Sequence, residues 1–177
     1  MDWLDSTGLD EVRVLDCFGG DGKIWAAVEE KRPGVKVWRT GIEKERGKGD
    51  RTRTLYGDNM SYLPHVNLEA FDAIDLDAYG WPCDQLEVVA ARVPDKHVFT
   101  TVGMYRVGGF PSKVVAAAGM PPEWLRLCVA AITPQGEELW TNFVASLGYT
   151  RLVRCVSVGS VTMVYEHLWP VGAVVVD

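Results

Sequence analysis

Four acidic side chains, Asp16, Glu43, Asp58 and Asp77, stand at or just beyond the ends of short apolar runs, and Gly19, Gly20 and Gly22 follow the first of them. Carboxylates at strand ends can accept hydrogen bonds from the ammonium, hydroxyl or amino groups of a ligand. The glycines let the backbone turn with positive φ and approach that ligand closely. The stretch Ile24–Glu30 then reads as a helix, whose start offers unpaired N–H groups. A nucleotide-like ligand is what this constellation implies, although a lone Gly-x-Gly also makes an ordinary tight turn.

The elements that must position these groups alternate from the start. Val12–Asp16 reads as a strand, residues 21–32 as a helix stopped by Pro33-Gly34, and Val35–Ile42 as a second strand ending at Glu43. A short strand near Thr52–Tyr56, a turn or short helix at Asn59–Leu63 and a strand over Phe71–Leu76 follow. Residues 83–92 predict a helix closed by Pro94, and His97–Val102 a fifth strand. Residues 103–122 are rich in glycine and proline, with a short helix at Ser112–Ala118, and read as a substrate-facing insertion. Helices over 123–131 and 135–147 precede two strands, Thr150–Val158 and Val161–Trp169, whose Gly159-Ser160 link predicts an antiparallel hairpin. The fold class expected is α/β: a Rossmann-like, mostly parallel sheet with a C-terminal antiparallel hairpin and helices on both faces. In such a sheet a ligand lies across the C-terminal strand ends, where the carboxylates fall.

Length and composition narrow the choice. The chain has 177 residues, 47% hydrophobic and 24% charged, so residues 1–177 are expected to form a single domain. No apolar run is long enough to span a bilayer and Met1–Asp5 is acidic, so the expectation is a cytoplasmic protein with no membrane partner. Four cysteines without a Cys-x-x-Cys pair and three scattered histidines give no metal spacing, and buried reduced thiols are the preferred reading. The net charge of −6 argues against a broadly basic nucleic-acid surface. Lys44, Arg46, Lys48, Arg51 and Arg53 do crowd one segment, but Glu43, Glu45 and Asp50 dilute it, and a solvated loop is the simpler reading.

Asp16-Cys-Phe-Gly-Gly-Asp-Gly22, Gly41-Ile-Glu43, Gly57-Asp58-Asn59 and Asp75-Leu-Asp-Ala-Tyr-Gly80 occur in the order used by class I S-adenosylmethionine-dependent methyltransferases. The chain resembles that family over roughly residues 10–105, and by topology beyond. The resemblance implies S-adenosyl-L-methionine as cofactor. Asp16, Phe18, Gly20 and Gly22 would form the turn around its methionine part, with Asp75 on the fourth strand also at the cofactor. Glu43 would take the ribose hydroxyls, and Asp58 with Asn59 the adenine. NAD-dependent dehydrogenases share the first two pieces, so discrimination rests on the fourth strand.

Asp77-Ala-Tyr-Gly80 resembles the Asp-Pro-Pro-Tyr class of motif in amino-group methyltransferases, and most nearly the Asp-Pro-Phe-Gly form of tRNA guanine N2-dimethyltransferases. In that arrangement Asp77 and the Ala78 carbonyl accept hydrogen bonds from an exocyclic amine while Tyr79 stacks on the base. The amine lone pair is thereby aimed at the sulfonium methyl, so catalysis is largely positioning, carried by Asp77 and Tyr79. Trp81, Tyr105 and Arg106 join Ala78 as candidate substrate contacts. Ala78 replaces the proline of the motif, and the RNA-binding part of the tRNA enzymes has no counterpart in these residues. The expected function is methylation of an amino nitrogen of a nucleobase in RNA or DNA, with a partner protein or homodimer supplying recognition. The alternatives left open are a non-catalytic binding or regulatory module of the same fold, and a small-molecule or protein methyltransferase.

Overall fold

The computed structural model describes residues 3–47, 53–78, 80–104, 110–121, 134–158 and 162–172. Five strands run in parallel: β1 (Glu11–Asp16), β2 (Lys36–Glu43), β3 (Thr54–Tyr56), β4 (Ala73–Asp77) and β5 (His97–Met104). The hairpin strands β6 (Tyr149–Val158) and β7 (Thr162–Pro170) complete a sheet of order β3-β2-β1-β4-β5-β7-β6, with β7 antiparallel to both neighbours. The strand order reverses between β1 and β4. That is the switch point at which an open α/β sheet forms its ligand crevice.

Helices cover both faces because alternate strand residues are apolar on both. Val12 and Val14 of β1 and Ala73 of β4 pack on one side with α1 (Trp3–Thr7) and α2 (Lys23–Lys31), through Trp3, Leu4 and Trp25. Leu15, Ile74 and Leu76 point the other way, into the larger core. There they meet α4 (Cys83–Arg92), α5 (Ser112–Ala117) and α6 (Pro134–Ser146), through Leu86, Val89, Val114, Val115, Trp140 and Phe143. The short helix α3 (Asn59–Tyr62) follows β3 and delivers Leu63 to the same core.

The sequence-based boundaries hold to within a residue or two, and three differences have physical causes. The N-terminal helix α1 was not expected; Trp3 and Leu4 bury against the sheet, and Asp5 clamps Arg32, the C-cap of α2, through paired contacts of 2.5 and 3.0 Å. A 3-10 turn at Leu68–Ala70 buries Leu68 just before β4. Gly103 and Met104 belong to β5 rather than to an insertion, because they pair with Met163 and Thr162 of β7. Within the expected insertion α5 is an integral layer, its Val114 and Val115 buried in the core. The helix expected over 123–131 lies outside the described residues.

Candidate functional site

The chain leaves β1 through Asp16 and turns tightly. Gly19 N–H donates to the Ile42 carbonyl of β2 at 3.0 Å, and Gly22 N–H donates back to the Gly19 carbonyl at 3.0 Å. Gly20 and Gly22 take φ of 41° and 66°, the left-handed region that favours glycine. Gly22 is the N-cap of α2 and offers no side chain, so the first turn of that helix presents free backbone N–H groups.

Beside this turn lies a cavity of about 670 Å³, within the range of small-molecule and cofactor sites. Asp16, Phe18, Gly20, Gly22, Glu43, Asp58, Asn59, Asp75 and Asp77 all line it. Glu43 is held from both sides: Oε2 accepts from Gly20 N–H and Oε1 from Glu45 N–H, each at 2.9 Å. Each oxygen keeps a lone pair for a ligand hydroxyl. Asp58 caps α3 by accepting from Met60 N–H at 2.9 Å, with the Lys44 ammonium 3.7 Å from its other oxygen. The Asn59 amide donates to the Cys17 carbonyl at 3.1 Å and accepts from Gln85 of α4 at 3.0 Å, tying β1, α3 and α4 together.

Three acidic residues gather where β1 and β4 end. Asp16 and Asp75 are register partners in the parallel pair and both are buried, and Asp77 follows two residues on. Asp16 accepts from Phe18 N–H at 3.2 Å and from the Arg39 guanidinium at 2.9 Å. Burial pushes the Asp16 carboxyl above its ordinary value, opposed by the hydrogen bond and charge of Arg39. Asp75 is pushed well above the carboxylate range by its complete burial and by Asp16, against the pull of the Trp25 indole N–H, which donates to it at 2.5 Å. Burial and the neighbouring Asp16 thus both favour its neutral form. Burial raises the Cys17 thiol likewise, so it stays protonated.

The remaining candidates separate from this cluster. Ala78 is buried outside the cavity lining, and Trp81 packs on Phe110 and Trp140, ring centroids 5.3 Å away in each case. Tyr79, Tyr105 and Arg106 lie outside the described residues, as do Lys48 and Arg51. Lys44 and Arg46 are exposed, and the Arg53 guanidinium lies 4.7 Å from the Trp38 ring centroid. Among the described residues no cluster of histidine, cysteine and acidic side chains could hold a metal. No helix among them is long and apolar enough to cross a membrane.

Sequence reasoning missed Arg39, Trp25 and Gln85. Arg39 was detectable in principle: it shares the inward face of β2 with Val37 and Gly41, and a charge at such a position demands a buried partner. A second cavity of about 270 Å³ was also missed. It lies over the sheet between Trp3, Trp25, Val28, Phe99 and Tyr165, and it shares Ile24 and Asp75 with the first cavity.

No family model and no curated protein matches the sequence. Solved structures do match the fold. Precorrin-6y C5,15-methyltransferase from Geobacter metallireducens GS-15 aligns with a TM-score of 0.52 at 10% identity, covering 92% of this chain and 81% of its own. Magnesium protoporphyrin IX methyltransferase from Synechocystis PCC 6803, with bound SAH, aligns at 0.53 and 11%, covering 94% and 78%. The Mtq2–Trm112 complex of E. cuniculi, responsible for methylation of the eRF1 translation termination factor, aligns at 0.50 and 13%, covering 94% and 90%. The chain has the Rossmann-like methyltransferase fold. Two of the aligned proteins methylate small molecules and the third a protein, so the fold carries no acceptor with it. None of them is a tRNA guanine N2-dimethyltransferase.

Proposed function

We propose that the protein binds S-adenosyl-L-methionine and transfers its methyl group to an amino nitrogen of a nucleobase in RNA or DNA. One observation carries the cofactor half: Asp16, the glycine turn, Glu43, Asp58 and Asp77, distant in sequence, line a single cavity at the switch point of the sheet. Glu43 is oriented by two backbone N–H groups, ready for the ribose hydroxyls. The free N–H groups at the start of α2 and the buried Asp16 suit the carboxylate and ammonium of the methionine part. The bound SAH of the Synechocystis neighbour fits this reading.

Transfer needs no metal and no covalent intermediate. S-adenosylmethionine, when bound, would supply the methyl group on a sulfonium: the acceptor nitrogen would take it, the carbon–sulfur electron pair would stay on sulfur, and the proton released by the nitrogen would pass to solvent. Asp77, at the end of β4 and half-buried on the cavity wall, holds the amine by a hydrogen bond that fixes its lone pair. Lys44 on the cavity wall and the exposed Arg46 would be the cations available to a polynucleotide backbone, beside the acidic Glu45. A partner chain or a second copy supplies further recognition surface, as the E. cuniculi neighbour is itself a complex.

The second cavity favours one other reading, a compact ring-bearing small molecule as acceptor, because its walls are aromatic and it adjoins the first at Asp75. Transfer of labelled methyl from S-adenosylmethionine to total RNA, total DNA and a metabolite extract separates the readings. Nucleic-acid labelling that falls at least about 100-fold in Asp77→Ala, with cofactor affinity within about threefold, is the expected result. Labelling confined to the metabolite extract replaces the nucleobase with a small acceptor. No labelling of any acceptor, despite cofactor binding, would leave a non-catalytic module.

A further inference from the structure

We propose that Arg39 is a positioning residue of the cofactor site: from beneath the Gly19–Gly22 turn it decides that Asp16, and not its neighbour Asp75, carries negative charge. The cofactor's ammonium then meets an ionised acceptor. This inference rests on the cofactor reading above.

Arg39 lies in a slot that the glycines leave open. A methyl group at Gly22 would fall 2.6 Å from the Arg39 Cζ, and at Gly19 or Gly41 it would lie 3.5 Å from Nη1. The guanidinium donates to the Gly19 carbonyl at 2.5 Å and to Asp16 at 2.9 Å, so one side chain holds both the turn and the carboxylate. A side chain at Gly22 would therefore displace the guanidinium as well as strain the backbone. The missing side chain is the space through which β2 braces the turn.

Asp16 and Asp75 face each other across β1 and β4, and two adjacent buried carboxyls do not both ionise readily. Their partners differ. Asp16 receives a full positive charge from Arg39, whereas Asp75 receives neutral donors, the indole N–H of Trp25 and the backbone N–H of Asp77, and sits deeper. Among the described residues, the other charged or titratable groups that share the cavity with Asp16 are Glu43, Lys44 and Glu45 at the end of β2, Asp58 before α3, Asp77 from β4 and the adjacent Cys17 thiol. At the start of α2, Lys23 pairs with Asp21 at 3.1 Å and both are exposed. Among these described groups only Arg39 neutralises buried negative charge, so its removal leaves Asp16 and Asp75 competing through burial and neutral donors, the Phe18 N–H on one and the Trp25 indole on the other.

The test is a carbon-13 NMR titration of the aspartate carboxyls in the free protein, with SAH affinity measured calorimetrically from about pH 5.5 to 8.5. Expected for wild type is an ionised Asp16, a protonated Asp75 and nearly constant affinity. In Arg39→Met the Asp16 midpoint moves to higher pH, and SAH binding weakens about tenfold per pH unit below that midpoint. Arg39→Lys restores the wild-type titration. Arg39→Gln, which keeps a donor toward the Gly19 carbonyl, decides the matter if the methionine variant does not fold. An unmoved Asp16 titration with a pH-independent loss of affinity in the folded neutral variants overturns the proposal. If wild type binds no SAH, the cofactor reading fails, while the carboxyl titration still reports on Arg39.

Discussion

At the C-terminal ends of β1 and β4, Asp16, Asp75 and Asp77 are served by one arginine, whereas on β7 the single buried carboxylate of Glu166 is surrounded by donors. Glu166 accepts from Arg151 Nε at 2.6 Å and Trp140 Nε1 at 2.8 Å, with Arg151 Nη2 2.5 Å away and the Thr100 hydroxyl at 3.5 Å. Its charge is cancelled and its oxygens are occupied, so it locks β6, β7 and α6 together. The first cluster leaves a cavity bordered by more acidic side chains than the described cations pair with. Such a deficit destabilises a merely structural site, but it suits a ligand carrying an ammonium and a sulfonium.

Substitutions can break this contrast. Arg151→Met leaves Glu166 buried without its counter-charge and should cost about 3–5 kcal/mol in urea unfolding, the largest effect expected. A cost below about 1 kcal/mol would mean that the pair is not a structural lock. Gly22→Ala combines a left-handed φ with a collision against Arg39 and should cost about 1–3 kcal/mol. Because it displaces the brace of the turn, it should also weaken SAH binding at least about tenfold, measured by calorimetry.

The smallest effect belongs to Asp75→Asn. Burial favours the protonated form of Asp75, so the amide should change stability by less than about 1 kcal/mol near pH 4. The sign then changes with pH. A carboxyl raised in the folded state contributes stability that is complete below its unfolded value and is lost as pH rises through its folded value. Unfolding of wild type should therefore become easier relative to the asparagine variant from about pH 4 upward, by at most about 1.4 kcal/mol per unit. Parallel stability profiles would show instead that Asp75 is ionised.

Most of the framework was legible because it is local. Alternation of β-branched runs with helical stretches fixes parallel strands, and strands that end together bring Asp16, Glu43, Asp58 and Asp77 together whatever the chain between them. What could not be read was long-range pairing of side chains. Arg39 looks like any strand arginine until Gly19, Gly22 and Asp16 are seen around it. Trp25 and Asp75 are 50 residues apart and define one buried hydrogen bond. Trp81, beside the acceptor motif in sequence, turns instead toward Phe110 and Trp140, because β4 ends at Asp77 and the chain then swings into α4.

Calorimetric titration of the purified protein with S-adenosylmethionine, S-adenosylhomocysteine and NAD tests the central claim most directly. One-to-one binding of the first two, weakened by Asp16→Ala and Glu43→Ala and matched by no heat from NAD, is the predicted result. Binding of NAD with none of either sulfur ligand would contradict it.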